Sequence, residues 1–242
     1  MYHAGLQVPD EVTLMWCDDN YGYIRHFPTA EERARKGGNG VYYHISYWGR
    51  PHDYLWLGTV HPSLVYQQMS LAYERGIQKM WILNVGDIKP AEYQVELFLD
   101  MAWNLEEVKR QGVVAHQRHF LEREFGKNRA DRLQPVMQEA YRLAYIRKPE
   151  FMGNTRTEEK DPKFKVINER LAAYRQLSDK VEQEWRALPA QKKETYFQLV
   201  KYPVQAAAQM NNKLLTAQLA RRGKADWADS DRAYDSIVSL TK

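Results

Sequence analysis

Three times in the first part of the chain an apolar run stops in polar side chains and gives way to a helical stretch, and this alternation limits the fold more than any other feature. Val12 to Cys17 is a continuous apolar run, read as a parallel strand buried on both faces, and it ends at Asp18-Asp19-Asn20. Gly40 to Tyr47 and Lys79 to Val85 are the second and third strands, the last ending at Gly86-Asp87. Between them, Thr29 and Glu32 have capping-box spacing at the head of a short helix, Ala30 to Lys36, closed by Gly37-Gly38. Ser63 is placed to cap a helix from Leu64 to Arg75 that stops at Gly76, and Pro90 opens a helix from Ala91 to Trp103. Strands that alternate with helices form parallel sheets, whose ligands bind at the C-terminal strand ends. Three strands leave two raw edges and cannot close a barrel of eight, so the chain is expected to be a piece of something larger.

The remainder is helical and differently charged. Residues 1–103 hold 8 Lys/Arg against 12 Asp/Glu, whereas residues 104–242 hold 27 against 19, which together give the net charge of +4. Five of the seven Trp and nine of the thirteen Gly precede Asn104, which places the boundary near Trp103-Asn104. Helices are expected over Glu106–Phe125, Asp131–Arg147, Lys163–Ala187, Pro189–Arg222 and Asp226–Leu240. Leu171, Tyr174, Leu177, Val181 and Trp185 make one apolar stripe, the signature of a bundle. Pro203 should kink or break its helix near Val200, and Gly153 to Pro162 is the most loop-like stretch.

Several classes fall away. The single cysteine, Cys17, excludes an internal disulfide framework. Met80 to Val85 is far short of the roughly 20 apolar residues that span a bilayer, and Met1-Tyr2-His3 does not begin a signal peptide. The histidines lack metal-ligand spacing, so no metal site is expected. The basic residues of the helical half are interleaved with acids, which describes a solvated surface rather than a nucleic-acid face.

The polar strand ends carry the candidate chemistry. Asp18, Asp19 and Asn20 emerge beside Tyr21 and Tyr23, a mixture that suits a sugar: rings pack on pyranose faces, carboxylates and amides take hydroxyls, and a carboxylic acid protonates a leaving oxygen. The alternative is that both aspartates only cap the following loop. His44 and Tyr47, three apart, converge only if the chain turns after Ser46; a core histidine is the other reading. Asn84 is an odd choice in an apolar strand unless it meets a ligand, while Asp87 with Pro90 also suits a turn into a helix. Arg25, Arg50 or Lys89 could neutralise an acidic substrate.

Three long motifs, Asp18-Asp19-Asn20-Tyr21-Gly22-Tyr23-Ile24-Arg25, Gly40 to Pro51 and Trp81 to Tyr93, together with Phe197 to Val204, resemble glycoside hydrolase family 115, the xylan α-1,2-glucuronidases. The resemblance implies an α/β plus all-α chain: about three units of a partial (β/α)8 barrel over residues 1–103, then a helix bundle over 104–242. It implies substrate binding by Asn20, His44, Tyr47 and Asn84, with glucuronoxylan or a derived oligosaccharide as partner and an inverting hydrolysis that needs no cofactor. The catalytic acid and base stay unassigned, with Asp18, Asp19 and Asp87 as weak candidates and the rest of the parent polypeptide as the expected source. The compartment is left open, with export of the parent to a bacterial periplasm or beyond as the reading favoured by the resemblance; neither nucleic acid nor membrane is expected as partner, and a homodimer is left open. The alternative is a non-catalytic helical interaction or sugar-binding module.

Overall fold

The computed structural model describes residues 2–153 and 158–242. Its strands are β1 (Leu14–Cys17), β2 (Asn39–His44) and β3 (Met80–Asn84), joined in one parallel sheet of order β1-β2-β3. Leu14 lies opposite Asn39, and His44 lies opposite Asn84 at the C-terminal ends. The connecting helices α1 (Ala30–Ala34), α2 (Pro62–Glu74) and the long α3 (Glu92–Phe125) follow the strands in turn. This is an open piece of a (β/α) barrel leading into a helical part.

The strand order explains how the sheet is covered. Right-handed crossovers between sequential parallel neighbours put every connecting helix on the same face. Leu14, Trp16, Val41 and Tyr43 are buried there, and Trp81 packs on Phe98 of α3 with ring centroids 5.7 Å apart. The other face is open, which corrects the expectation of burial on both sides: Met15 is 39% exposed, Tyr42 37% and Ile82 40%, with Cys17 also exposed.

Local signals account for the starts of the first two helices. Thr29 caps α1 with a complete capping box, its hydroxyl accepting from the Glu32 N–H while the Glu32 carboxylate accepts from the Thr29 N–H. In α2 the cap is His61 rather than Ser63: Nδ1 of His61 accepts from the Ser63 N–H, and Pro62 starts the helix where its missing N–H costs nothing. The expected helix break near Trp103-Asn104 is a kink at Asn104 inside α3, and a second kink at Gly112, with φ of 77°, interrupts a stretch that reads as continuous.

Beyond α3 come α4 (Lys127–Ile146), α5 (Lys165–Arg186), α6 (Ala190–Tyr196), α7 (Tyr202–Ala220) and α8 (Trp227–Leu240). α4 begins four residues earlier than expected and contains Pro135. The predicted break before Pro203 is a π-helical stretch, Phe197–Lys201, between α6 and α7. Ile167, Tyr174, Leu177 and Val181 form the buried stripe of α5. Arg170 on the same helix is buried too, donating to the carbonyls of Leu143 and Arg147 at the end of α4 and to Asn211 Oδ1 of α7. One hydrophobic core runs from Val41 and Tyr43 through Leu97 and Phe98 to Tyr196 and Val204. The loop expected over 153–162 lies partly outside the described residues. Among the described residues no helix is long and apolar enough to cross a membrane.

Candidate sugar site

The site is built where β1 and β2 end. Asp18 follows β1, and its side chain is completely buried beneath His44. A carboxylate can only accept, so Nδ1–H of His44 donates to Asp18 Oδ1 at 2.6 Å, and the His44 backbone N–H donates to Oδ2 at 3.3 Å. Nε2 is thereby the ring nitrogen left for a ligand. Burial pushes the Asp18 carboxyl above its ordinary range, against the hydrogen bonds from His44 that lower it.

The imidazole sits in an aromatic slot. Its centroid is 4.7 Å from that of Tyr42 and 4.5 Å from that of Tyr47. Asn84, paired in register with His44, donates from Nδ2 to the Tyr42 hydroxyl at 2.5 Å and keeps its own carbonyl oxygen as an acceptor. The chain does turn after Ser46: Tyr47 and Tyr54 pair backbone to backbone in an antiparallel bridge, which holds Tyr47 over His44. The Tyr47 hydroxyl is raised by partial burial and then by the Asp18 charge, so it is a neutral donor at ordinary pH. His44, Tyr47 and Asn84 therefore meet at one end of the sheet. Tyr42 joins them, and was absent from the candidates although it stands two residues before His44 on the same strand face.

Asn20 is placed differently. It is buried, with Nδ2 donating to the His52 carbonyl at 2.7 Å and Oδ1 accepting from the His52 N–H at 3.2 Å, so its amide holds the loop after Tyr47. Asp19 is a turn residue: Oδ1 accepts from the N–H groups of Tyr21 and Tyr23, and Oδ2 from Arg25. Partial burial opposes ionisation of Asp19, yet those hydrogen bonds hold its carboxyl below its usual range. Gly22 supplies the φ of 84° that closes this turn. Arg25 is engaged with Asp19, which takes it out of the set of free cations. Asp87 lies exposed beyond β3, five residues before α3, and does not cap it.

The three weak catalytic candidates are thus a buried support, a turn residue and an exposed loop residue. Glycoside hydrolysis needs two carboxylates aimed at one bond, and Asp18 and Asp19 are committed to the protein's own groups. Among the described residues no cluster of His, Cys, Asp and Glu is arranged to hold a metal. A narrow apolar cavity of about 50 Å³, lined by Leu57, Tyr93, Phe120 and Val204, lies elsewhere, where the helices meet.

The model of glycosyl hydrolase family 115 matches residues 1–151. Among solved structures, a family GH115 4-O-methyl-α-glucuronidase with specificity for decorated arabinogalactans, BtGH115A, is 69% identical over 99% of this chain, with a TM-score of 0.93. The chain spans 33% of that protein's length. None of the curated proteins matches. With its sheet, its strand-end residues and a family match covering more than half its length, the chain belongs to glycosyl hydrolase family 115.

Proposed function

We propose that this chain forms part of an α-glucuronidase that releases glucuronic acid or its 4-O-methyl ether from a decorated polysaccharide, and that it supplies one wall of the sugar site. The observation that carries the reading is the convergence of Tyr42, His44, Tyr47 and Asn84 at one strand end, with Asp18 locking the imidazole from below. His44 Nε2, the Tyr47 hydroxyl and the Asn84 carbonyl oxygen offer a donor and acceptors for sugar hydroxyls, and aromatic faces suit the pyranose C–H surface. Asn20 serves by fixing the loop that carries Tyr47. Residues 1–103 are the barrel part and residues 104–242 the helical domain, divided at the Asn104 kink.

In this reading the acid that protonates the leaving oxygen and the base that activates water come from other strands of the same polypeptide. The reaction is hydrolysis with inversion and uses no cofactor. Glucuronoxylan is the substrate read from the motifs, and decorated arabinogalactan is the one suggested by the relative. The test is release of (4-O-methyl)glucuronic acid from each polymer by the intact enzyme, with His44→Ala alongside. We expect release from at least one polymer and a loss in kcat/KM of about tenfold or more with His44→Ala, as for a lost hydrogen bond to a charged or strongly polarised group. Release from neither polymer, or unchanged kinetics in the variant, would overturn the reading.

A further inference from the structure

The Tyr47 side of the site belongs to a long connection. Between β2 and α2 the chain runs from Ile45 to His61 with no regular structure beyond the Tyr47–Tyr54 bridge. A connection of this length keeps one conformation only if it is tied down at several points. Asn20 ties it from the β1 side, at His52. The other ties come from the opposite direction, from the five residues that follow α4, Arg147 to Phe151.

Each of three residues there grips a different point of the connection. Phe151 stacks on His52, with centroids 4.5 Å apart and planes at 29°, and meets Tyr54 and Tyr21 edge-on at 6.1 Å. Glu150 Oε1 accepts from the Leu57 N–H at 3.2 Å. Lys148 Nζ donates to the Thr59 carbonyl at 2.8 Å and lies 4.9 Å from the centroid of the Tyr54 ring. Tyr54 is the bridge partner of Tyr47, whose ring packs on His44. None of the three reaches the sugar-facing side chains. Phe151 adds an apolar contact at little desolvation cost, whereas Lys148 and Glu150 fix individual backbone groups of the loop.

We propose that Lys148, Glu150 and Phe151 are positioning residues, through which the helical domain sets the place of Tyr47 in the sugar site. The inference rests on the sugar-site reading, and the test separates the two. In the full-length enzyme, Phe151→Ala is compared with Phe151→Tyr, which keeps the stacked ring, and with Glu150→Gln, which keeps the fold and weakens one tie. Amide hydrogen exchange over residues 45–60 is measured with KM and kcat on the glucuronylated polymer, and Tyr47→Phe is assayed in parallel. Phe151→Ala is expected to speed exchange at Tyr47 and Tyr54 but not in β2, and to raise KM about 2- to 10-fold, the worth of an aromatic pair, with kcat little changed. Phe151→Tyr should restore both, and Glu150→Gln should speed exchange at Leu57. Unchanged exchange at Tyr47 and Tyr54 in Phe151→Ala, or a lower melting point with no change in KM while Tyr47→Phe does change it, overturns the proposal. Faster exchange with no effect of either Phe151→Ala or Tyr47→Phe on turnover leaves the anchoring in place and refutes the sugar-site reading instead.

Discussion

The carboxylate of Asp18 lies wholly buried under the imidazole of His44, 2.6 Å from Nδ1, while the imidazole keeps a solvent-facing edge. The relationship sets which tautomer His44 presents. With Asp18 ionised, Nδ1 carries the proton and Nε2 accepts; an amide at position 18 can donate to Nδ1 and reverse this.

Asp18→Asn is therefore expected to separate activity from stability. Burial raises the Asp18 carboxyl above its ordinary value, so this group favours the fold most at low pH, and the benefit is lost as pH rises through the native value. Once ionised, Asp18 makes the native state bear the cost of a buried charge, which Asn removes. The urea midpoint at pH 7 should hold or rise, while kcat/KM of the intact enzyme falls by about 10- to 100-fold, the worth of a charged hydrogen bond that sets orientation. A lowered midpoint with unchanged kinetics would assign Asp18 a structural role alone.

Asn20 gives a second separation. Its amide makes two hydrogen bonds to the backbone of His52, one donated and one accepted. Asn20→Ala leaves both backbone groups without their partner and should cost about 1–3 kcal/mol in stability. Asn20→Asp should not rescue it, because a carboxylate meets the His52 carbonyl oxygen with like partial charge. Urea titration of the three proteins checks the order, and a full rescue by Asp would show that only the accepted bond matters.

What could be read before folding was local. The Thr29–Glu32 box lies within one helical turn, and the polar ends of the three strands appear in the sequence as breaks in apolar runs, so both were legible. The His61 cap was hidden because Ser63, the better capping residue by type, sits just after Pro62. The exposed sheet face was hidden because β1 looks continuous in its apolar residues, and which face is covered depends on where α1 to α3 cross. Within the site, the residue types at His44, Tyr47 and Asn84 were legible, but the roles of Asp18 and Asn20 were not. Their partners lie 26 and 32 residues away, and no periodicity connects a side chain with an imidazole or a loop carbonyl at that distance. The contact between Phe151 and His52 joins the two halves of the chain and has no local signal at all.

Arg170 shows how the helical part is held. Its guanidinium makes three hydrogen bonds, two of them to carbonyls at the C-terminal end of α4, where a cation also complements the helix dipole. Arg170→Met fills the same space but leaves Leu143 O, Arg147 O and Asn211 Oδ1 without that donor. It should destabilise the protein by about 2–4 kcal/mol. Arg170→Lys should recover only part of this, since a single ammonium cannot span three acceptors in the plane of a guanidinium. Calorimetric melting of both variants tests the claim, and a wild-type melting point in Arg170→Lys would reduce the role to charge.

Lys148 makes stability depend on alkaline pH. Burial pushes its ammonium from the ordinary 10.5 down to about 8, with Glu150 acting in the opposite direction. The groups around it titrate lower: burial and then Lys148 itself depress His61 below 6.5, and Glu150, although raised by burial, is a carboxyl. Between about pH 8 and 10.5 the unfolded chain therefore still binds a proton that the native state has released. The Lys148 proton alone makes stability rise with pH across that window, with a limiting slope of about 1.4 kcal/mol per pH unit. The Cys17 thiol, raised by burial from 9.0, opposes this rise from about pH 9 in wild type and variant alike. The buried tyrosines oppose it too but only above about pH 10, since their hydroxyls are raised from that value in the native state. In Lys148→Met the ionisable group is gone, so the rise between pH 8 and 10 should vanish even though the hydrogen bond to Thr59 is lost at every pH. Urea midpoints of wild type and variant at pH 7, 8.5 and 10 measure the difference. Parallel pH profiles for the two proteins would show that the Lys148 ammonium keeps its ordinary affinity for protons in the folded chain.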